Sequence, residues 1–139
     1  MTSNAFHLKI ISPASVVMDT HVRMTEIPGT EGDFGVLPGH AAVLSMLRPG
    51  VITVHLADGA QQRFFAATGY ADVSAEGCTI LSDHVQDLAT ISVEEAREAL
   101  AAAQTAASAA QTEAEIAKAA RLLAAAEVLV AAVSSTAVH

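Results

Sequence analysis

Gly50-Val51-Ile52-Thr53-Val54-His55-Leu56-Ala57-Asp58-Gly59-Ala60-Gln61-Gln62-Arg63-Phe64-Phe65-Ala66 is the stretch on which the fold turns. Ile52, Val54 and Leu56 alternate with Thr53 and His55, and a period of two gives a strand one apolar and one polar face. Asp58-Gly59 supplies a hairpin turn, because glycine takes positive φ at no steric cost. Gln62, Phe64 and Ala66 against Arg63 and Phe65 read as the returning strand.

The same signals recur upstream. Phe6, Leu8 and Ile10 alternate with His7 and Lys9. Turn signals follow at Pro28-Gly29, Gly32, Pro38-Gly39, Pro49-Gly50, Gly69 and Gly77. No helix-length periodic pattern separates them, which argues against a parallel α/β sheet. Many short strands with turns about every ten residues argue for an all-β sandwich or barrel over residues 1–90.

Downstream the chemistry changes. All 8 glycines and all 4 prolines lie before residue 78, while 19 of the 47 residues from Val93 to His139 are alanine, the best helix former. Ser92-Val93-Glu94-Glu95 has the form of a capping box, and Thr112-Glu113-Ala114-Glu115 repeats it. Residues 91–139 are therefore expected to form an antiparallel two-helix hairpin, broken near 109–112. Val93, Ala96, Leu100, Ala103 and Ala107 make one seam; Ile116, Ala119, Leu123, Ala126, Val130 and Val133 make the other. Leu122 and Leu129 flank the second seam and require a further surface, either the sandwich or another subunit.

Net charge is −8, with seven Lys and Arg spread along the chain, so no basic face for nucleic acid is expected. The acidity serves solubility or a basic partner. Cys78 is the single cysteine, and in a strand-like run it reads as a small buried hydrophobe rather than a disulfide or metal ligand. The start, Met1-Thr2-Ser3-Asn4-Ala5, lacks the pattern of a secretory signal. The apolar run Leu122 to Val133, interrupted by Glu127, falls short of the roughly 20 residues of a membrane span, so no direct membrane insertion is expected. Of the six histidines (His7, His21, His40, His55, His84, His139), none forms a helical i, i+4 metal pair. His40, in a Pro-Gly-His turn, reads as a contact residue and the others as strand or surface residues. No nucleophile elbow is present, and Gly29-Thr30-Glu31-Gly32-Asp33 carries two acids where a phosphate cradle would want none. No catalytic site, cofactor or metal is expected.

Glu31-Gly32-Asp33-Phe34-Gly35-Val36-Leu37-Pro38-Gly39-His40-Ala41 is similar to a stretch of the epsilon subunit of F-type ATP synthases, bacterial and chloroplast epsilon or mitochondrial delta. Arg48-Pro49-Gly50-Val51-Ile52, Thr68-Gly69-Tyr70-Ala71-Asp72-Val73, Phe6-His7-Leu8-Lys9-Ile10-Ile11-Ser12-Pro13 and Thr79-Ile80-Leu81-Ser82-Asp83 extend the resemblance in order across the first segment. The helical part matches in pattern more than in residues.

The resemblance implies an all-β sandwich of about ten short strands followed by an antiparallel helical hairpin. It also implies a non-catalytic place in the central stalk, attaching the gamma subunit to the c-ring at the cytoplasmic face of the bacterial inner membrane and coupling proton flow to ATP synthesis. Carried over by position, Glu31, Gly32 and Asp33 face the c-ring loops, whose exposed residues include basic and polar groups. His40, Ala41 and Ala42 face gamma. In many members the hairpin extends to the catalytic α/β subunits and blocks ATP hydrolysis, and in some it binds ATP. Val93, Glu94 and Arg97 fall on the start of that ATP motif, but Gln104 and Ala107 occupy its later basic positions. Two lost charge-assisted contacts would weaken ATP by about 3–6 kcal/mol. The hairpin carries only Arg97, Lys118 and Arg121 against six acids. Weak or absent ATP binding and inhibition are expected, and a nucleotide-sensing module is the alternative reading.

Overall fold

A computed structural model describes residues 4–137, with side chains described through residue 134. His139 and the first three residues of the N-terminal stretch read above lie outside the described residues. The chain divides into two compact units, Met1–Asp87 and Leu88–His139.

Among the described residues the first unit is a sandwich of nine strands: β1 (Phe6–Ile11), β2 (Val16–Gly29), β3 (Gly32–Val36), β4 (Val43–Leu47), β5 (Gly50–Leu56), β6 (Gln61–Ala66), β7 (Gly69–Val73), β8 (Gly77–Ser82) and β9 (Val85–Asp87). Their order is β1-β8-β7-β4-β2-β5-β6-β9, with β3 on β2 and β1 also paired to β2, so part of the sheet closes on itself. The 14-residue β2 makes this possible. Its first half pairs β1, and beyond a bulge between Val22 and Met24 its second half pairs β5 and β3. One long bent strand thus serves where two short ones would otherwise stand. All pairings are antiparallel except β1–β8, whose connection runs through the rest of the sandwich rather than a crossover helix.

The alternating residues deliver the core. Phe6, Leu8 and Ile10 on β1, Ile52 and Val54 on β5, and Phe64 and Ala66 on β6 are all buried in one apolar cluster. Ile52 lies opposite Phe64, and Gly50 opposite Ala66. Phe65 departs from the alternation. It points to the other face, opposite Val51 and Gln86, yet is only 3% exposed. The β5–β6 connection closes as expected: Gly59 has φ +93, and the Asp58 carboxylate accepts from the Ala60 amide at 2.9 Å. Cys78 is buried, and its desolvation pushes the thiol up to about 12.

The second unit opens with a single 3-10 turn, Leu88–Thr90, followed by α1 (Val93–Ala109) and α2 (Glu113–Ala137). Both capping boxes form. The Ser92 hydroxyl accepts from the Glu95 amide and the Glu95 carboxylate accepts from the Ser92 amide, each at 3.1 Å. Thr112 and Glu115 repeat the exchange at the same distance, with the Gln111 amide as a second donor to Glu115. On α1 the residues that are not exposed are Val93, Ala96, Leu100, Ala103 and Ala107, the expected seam. On α2 Ala119, Leu123, Ala126, Val130 and Val133 follow the expected seam, but Ile116 is 53% exposed because it lies in the first turn. Leu129 is half-buried and Leu122 is 49% exposed.

Candidate binding surface

Two of the sequence-predicted surfaces are joined by one strand. Glu31, Gly32 and Asp33 form the tip and first residues of the β2–β3 hairpin, where Gly29 lies opposite Gly32 and Gly32 has φ +131. All three are exposed. The hairpin leans on the end of β4: the Thr30 amide donates to the Met46 carbonyl at 2.9 Å. His40, Ala41 and Ala42 lie at the other end of β4, about 14 Å away at strand rise. The His40 amide donates to the Leu37 carbonyl at 3.1 Å, closing a turn in which Gly39 has φ +78. His40 is half-buried and its Nδ1 donates to the Ala41 carbonyl at 2.6 Å, so the ring is held against the backbone; Ala41 and Ala42 are exposed.

Between these ends the structure reveals what sequence reasoning did not locate. Val16, Ile11, Leu81, Tyr70 and Met46 stand directly opposite one another across β2, β1, β8, β7 and β4. They form one apolar row on the outer face of the sandwich. Val16 is 56% exposed, Met46 57% and Tyr70 39%, and Leu44, two residues before Met46 on the same face, is 67% exposed. A groove of about 340 Å³ runs beside the row, lined by Ile11, Pro13, Tyr70 and Leu81 among others. A continuous apolar band of this kind on the outer face of a sheet has the chemistry of a protein-binding surface. The only local sign was the run Val43-Leu44-Ser45-Met46-Leu47, apolar on both faces where a half-solvated strand would alternate.

The same face becomes polar away from the row. Lys9 lies opposite Asp19 on β2 and Thr79 on β8, and Thr79 lies opposite Asp72 on β7. His7 and His21 face each other with rings stacked at 5.3 Å. The His7 Nε2 bonds the Asp19 carboxylate, which that contact holds below its usual range. His55 pairs with Glu26 at 2.8 Å on the exposed surface, and His84 is exposed after β8. Among the described residues no group of His, Cys, Asp and Glu could hold a metal ion. No described helix is long and apolar enough to cross a membrane.

On the hairpin, Val93, Glu94 and Arg97 occupy the first turn and a half of α1. Val93 is half-buried in the seam; Glu94 and Arg97 are exposed at i, i+3 on one face. Gln104, two turns beyond Arg97, is exposed, whereas Ala107 lies in the half-buried seam. The arrangement brings one cation to that face.

Residues 5–88 match the family described as ATP synthase, Delta/Epsilon chain, beta-sandwich domain. An ATP synthase epsilon chain of Rhodospirillum rubrum is 44% identical over 95 residues, covering 68% of this chain and 71% of the relative. One from Rhodopseudomonas palustris is 40% identical over 99 residues, covering 71% and 73%. A chain in the mitochondrial ATP synthase of Euglena gracilis, solved with its OSCP, F1 and c-ring parts, superposes with a TM-score of 0.80 at 25% identity, covering 95% of this chain and 83% of that one. A chain from the Tetrahymena thermophila central stalk and c-ring, 14% identical with a TM-score of 0.64, shares the fold.

Proposed function

This chain belongs to the delta/epsilon-chain family of ATP synthase subunits, and on that premise we propose that its sandwich attaches the gamma subunit to the c-ring. It is a non-catalytic, peripheral part of the complex with a rotor role. The apolar row Val16–Ile11–Leu81–Tyr70–Met46 carries the reading, because a subunit that turns with the stalk needs a large, dry contact on one rigid element. Gamma lies along that row, with His40, Ala41 and Ala42 at the end of β4 extending the contact. The Glu31–Asp33 hairpin at the other end meets the exposed c-ring loops. On this reading the chain works at the cytoplasmic face of the bacterial inner membrane. Charges of the hairpin kind set docking geometry and rate more than affinity, so the row supplies most of the attachment.

Through this attachment the chain couples proton flow to ATP synthesis. The hairpin binds ATP weakly or not at all, since Gln104 and Ala107 replace cations. With three cations against six acids it is also a poor electrostatic partner for the α/β subunits. The coupling role is tested by placing Met46→Asp in the whole complex. ATP synthesis driven by a proton gradient falls at least tenfold, while ATP hydrolysis by the catalytic sector persists. Unchanged synthesis would remove the row from the coupling path.

A further inference from the structure

The two acids at the tip of the β2–β3 hairpin are engaged differently, and one arginine makes the difference. Arg48, in the turn between β4 and β5, reaches the hairpin by three bonds. Its backbone amide donates to the Pro28 carbonyl at 3.1 Å. Its Nη1 donates to the Gly29 carbonyl, and its Nη2 donates to the Asp33 carboxylate. The hairpin beneath is tight: a Cβ on Gly29 would lie 2.7 Å from the Gly32 carbonyl oxygen. Among the described residues no hydrogen bond or ion pair engages the Glu31 carboxylate, which stands exposed at the tip.

We propose that Arg48 is a positioning residue for the c-ring contact: it neutralises Asp33 and clamps the hairpin backbone, leaving Glu31 as the single carboxylate offered to a basic or polar loop. The proposal rests on the reading of the hairpin as the c-ring surface and goes further by dividing the roles of its residues. Arg48 and Asp33 retain 45% and 71% side-chain exposure, so their pair adds little to stability and acts through geometry. The planar guanidinium suits this task, since its fork serves a carbonyl and a carboxylate at once, which a lysine ammonium cannot do in fixed geometry.

Long-range electrostatics and positioning give opposite signs for one variant. Removing a cation beside an acidic tip should by charge alone tighten binding to a basic surface. If Arg48 positions the tip, Arg48→Met weakens it. The test is co-sedimentation of the full chain, in complex with gamma, with c-ring liposomes at about 0.05 M salt, where surface charges are little screened. Glu31→Gln weakens binding about two- to fivefold. Asp33→Asn, which keeps its acceptor oxygen toward Arg48, weakens it less. Arg48→Met weakens it about twofold or more in the parent and has no further effect in the Glu31→Gln background. Its melting temperature stays within about 4 °C of the parent; should it not fold, the Glu31→Gln and Asp33→Asn comparison decides alone. Equal or tighter binding by Arg48→Met overturns the proposal, as does a larger loss for Asp33→Asn than for Glu31→Gln. No loss with either acid variant instead overturns the underlying c-ring reading, and the proposal with it.

Discussion

Gly69 opens β7 where three strands crowd together, opposite Leu47 on β4 and Ser82 on β8. A Cβ there would lie 2.0 Å from the Leu81 carbonyl oxygen and 2.7 Å from the Ser82 Cα. Both are backbone atoms, so no side chain can swing aside. Gly69→Ala must push β7 away from β8 between Tyr70 and Leu81, the middle of the apolar row. It is expected to lower unfolding free energy by about 3 kcal/mol, measured by urea denaturation; a loss below about 0.5 kcal/mol would show that the two strands separate without cost. Glu115 gives a residue-scale pH dependence. The Thr112 and Gln111 amides that donate to its carboxylate hold its folded pKa below the ordinary value of 4.5. A depressed folded pKa favours folding in full above the ordinary range, and that contribution is lost as pH falls from about 4.5 through the lowered value. Protection of the Gln111 and Thr112 amides in hydrogen exchange should therefore decline on acidification, and Glu115→Gln should abolish the decline. Protection that ignores pH in the parent would sink this account of the cap.

At the scale of elements, how much was legible depended on whether neighbours in sequence are neighbours in space. The α1 seam was readable residue by residue, because residues three and four apart share a face and both caps close within four residues. β1, β5 and β6 were readable from alternation, apart from Phe65. The apolar row was not readable, since its five members come from five strands spread between residues 11 and 81 and meet only through register. On β4 the apolar residues occupy both faces, so which ones reach solvent is decided by the pairing with β7. The Arg48 clamp was hidden likewise: its partners, Gly29 and Asp33, are 19 and 15 residues away. The hairpin makes its own prediction as a unit. Its cations are three, and of its acids Glu95 and Glu115 are already spent on caps. Deleting residues 92–139 should change ATP hydrolysis by the whole complex less than about twofold, since no strong electrostatic docking to the catalytic subunits is lost. A several-fold rise would show that the helices inhibit by another, apolar route.

Over the whole molecule, three chemistries are laid out along one sheet: an acidic hairpin at one end of β4, a turn with a fixed imidazole at the other, and an apolar row between. The closed part of the sheet keeps their spacing constant, as the proposed rotor attachment requires. The proposed function makes attachment depend on the row, so the most direct measurement is size-exclusion co-elution of the full-length chain with purified gamma, comparing the parent with Met46→Asp/Tyr70→Asp and checking by circular dichroism that the variant remains folded. The parent should co-elute, and the folded variant should bind on the order of 10²-fold more weakly and elute alone. Co-elution of the folded variant as complete as that of the parent would contradict the assignment of the row to gamma.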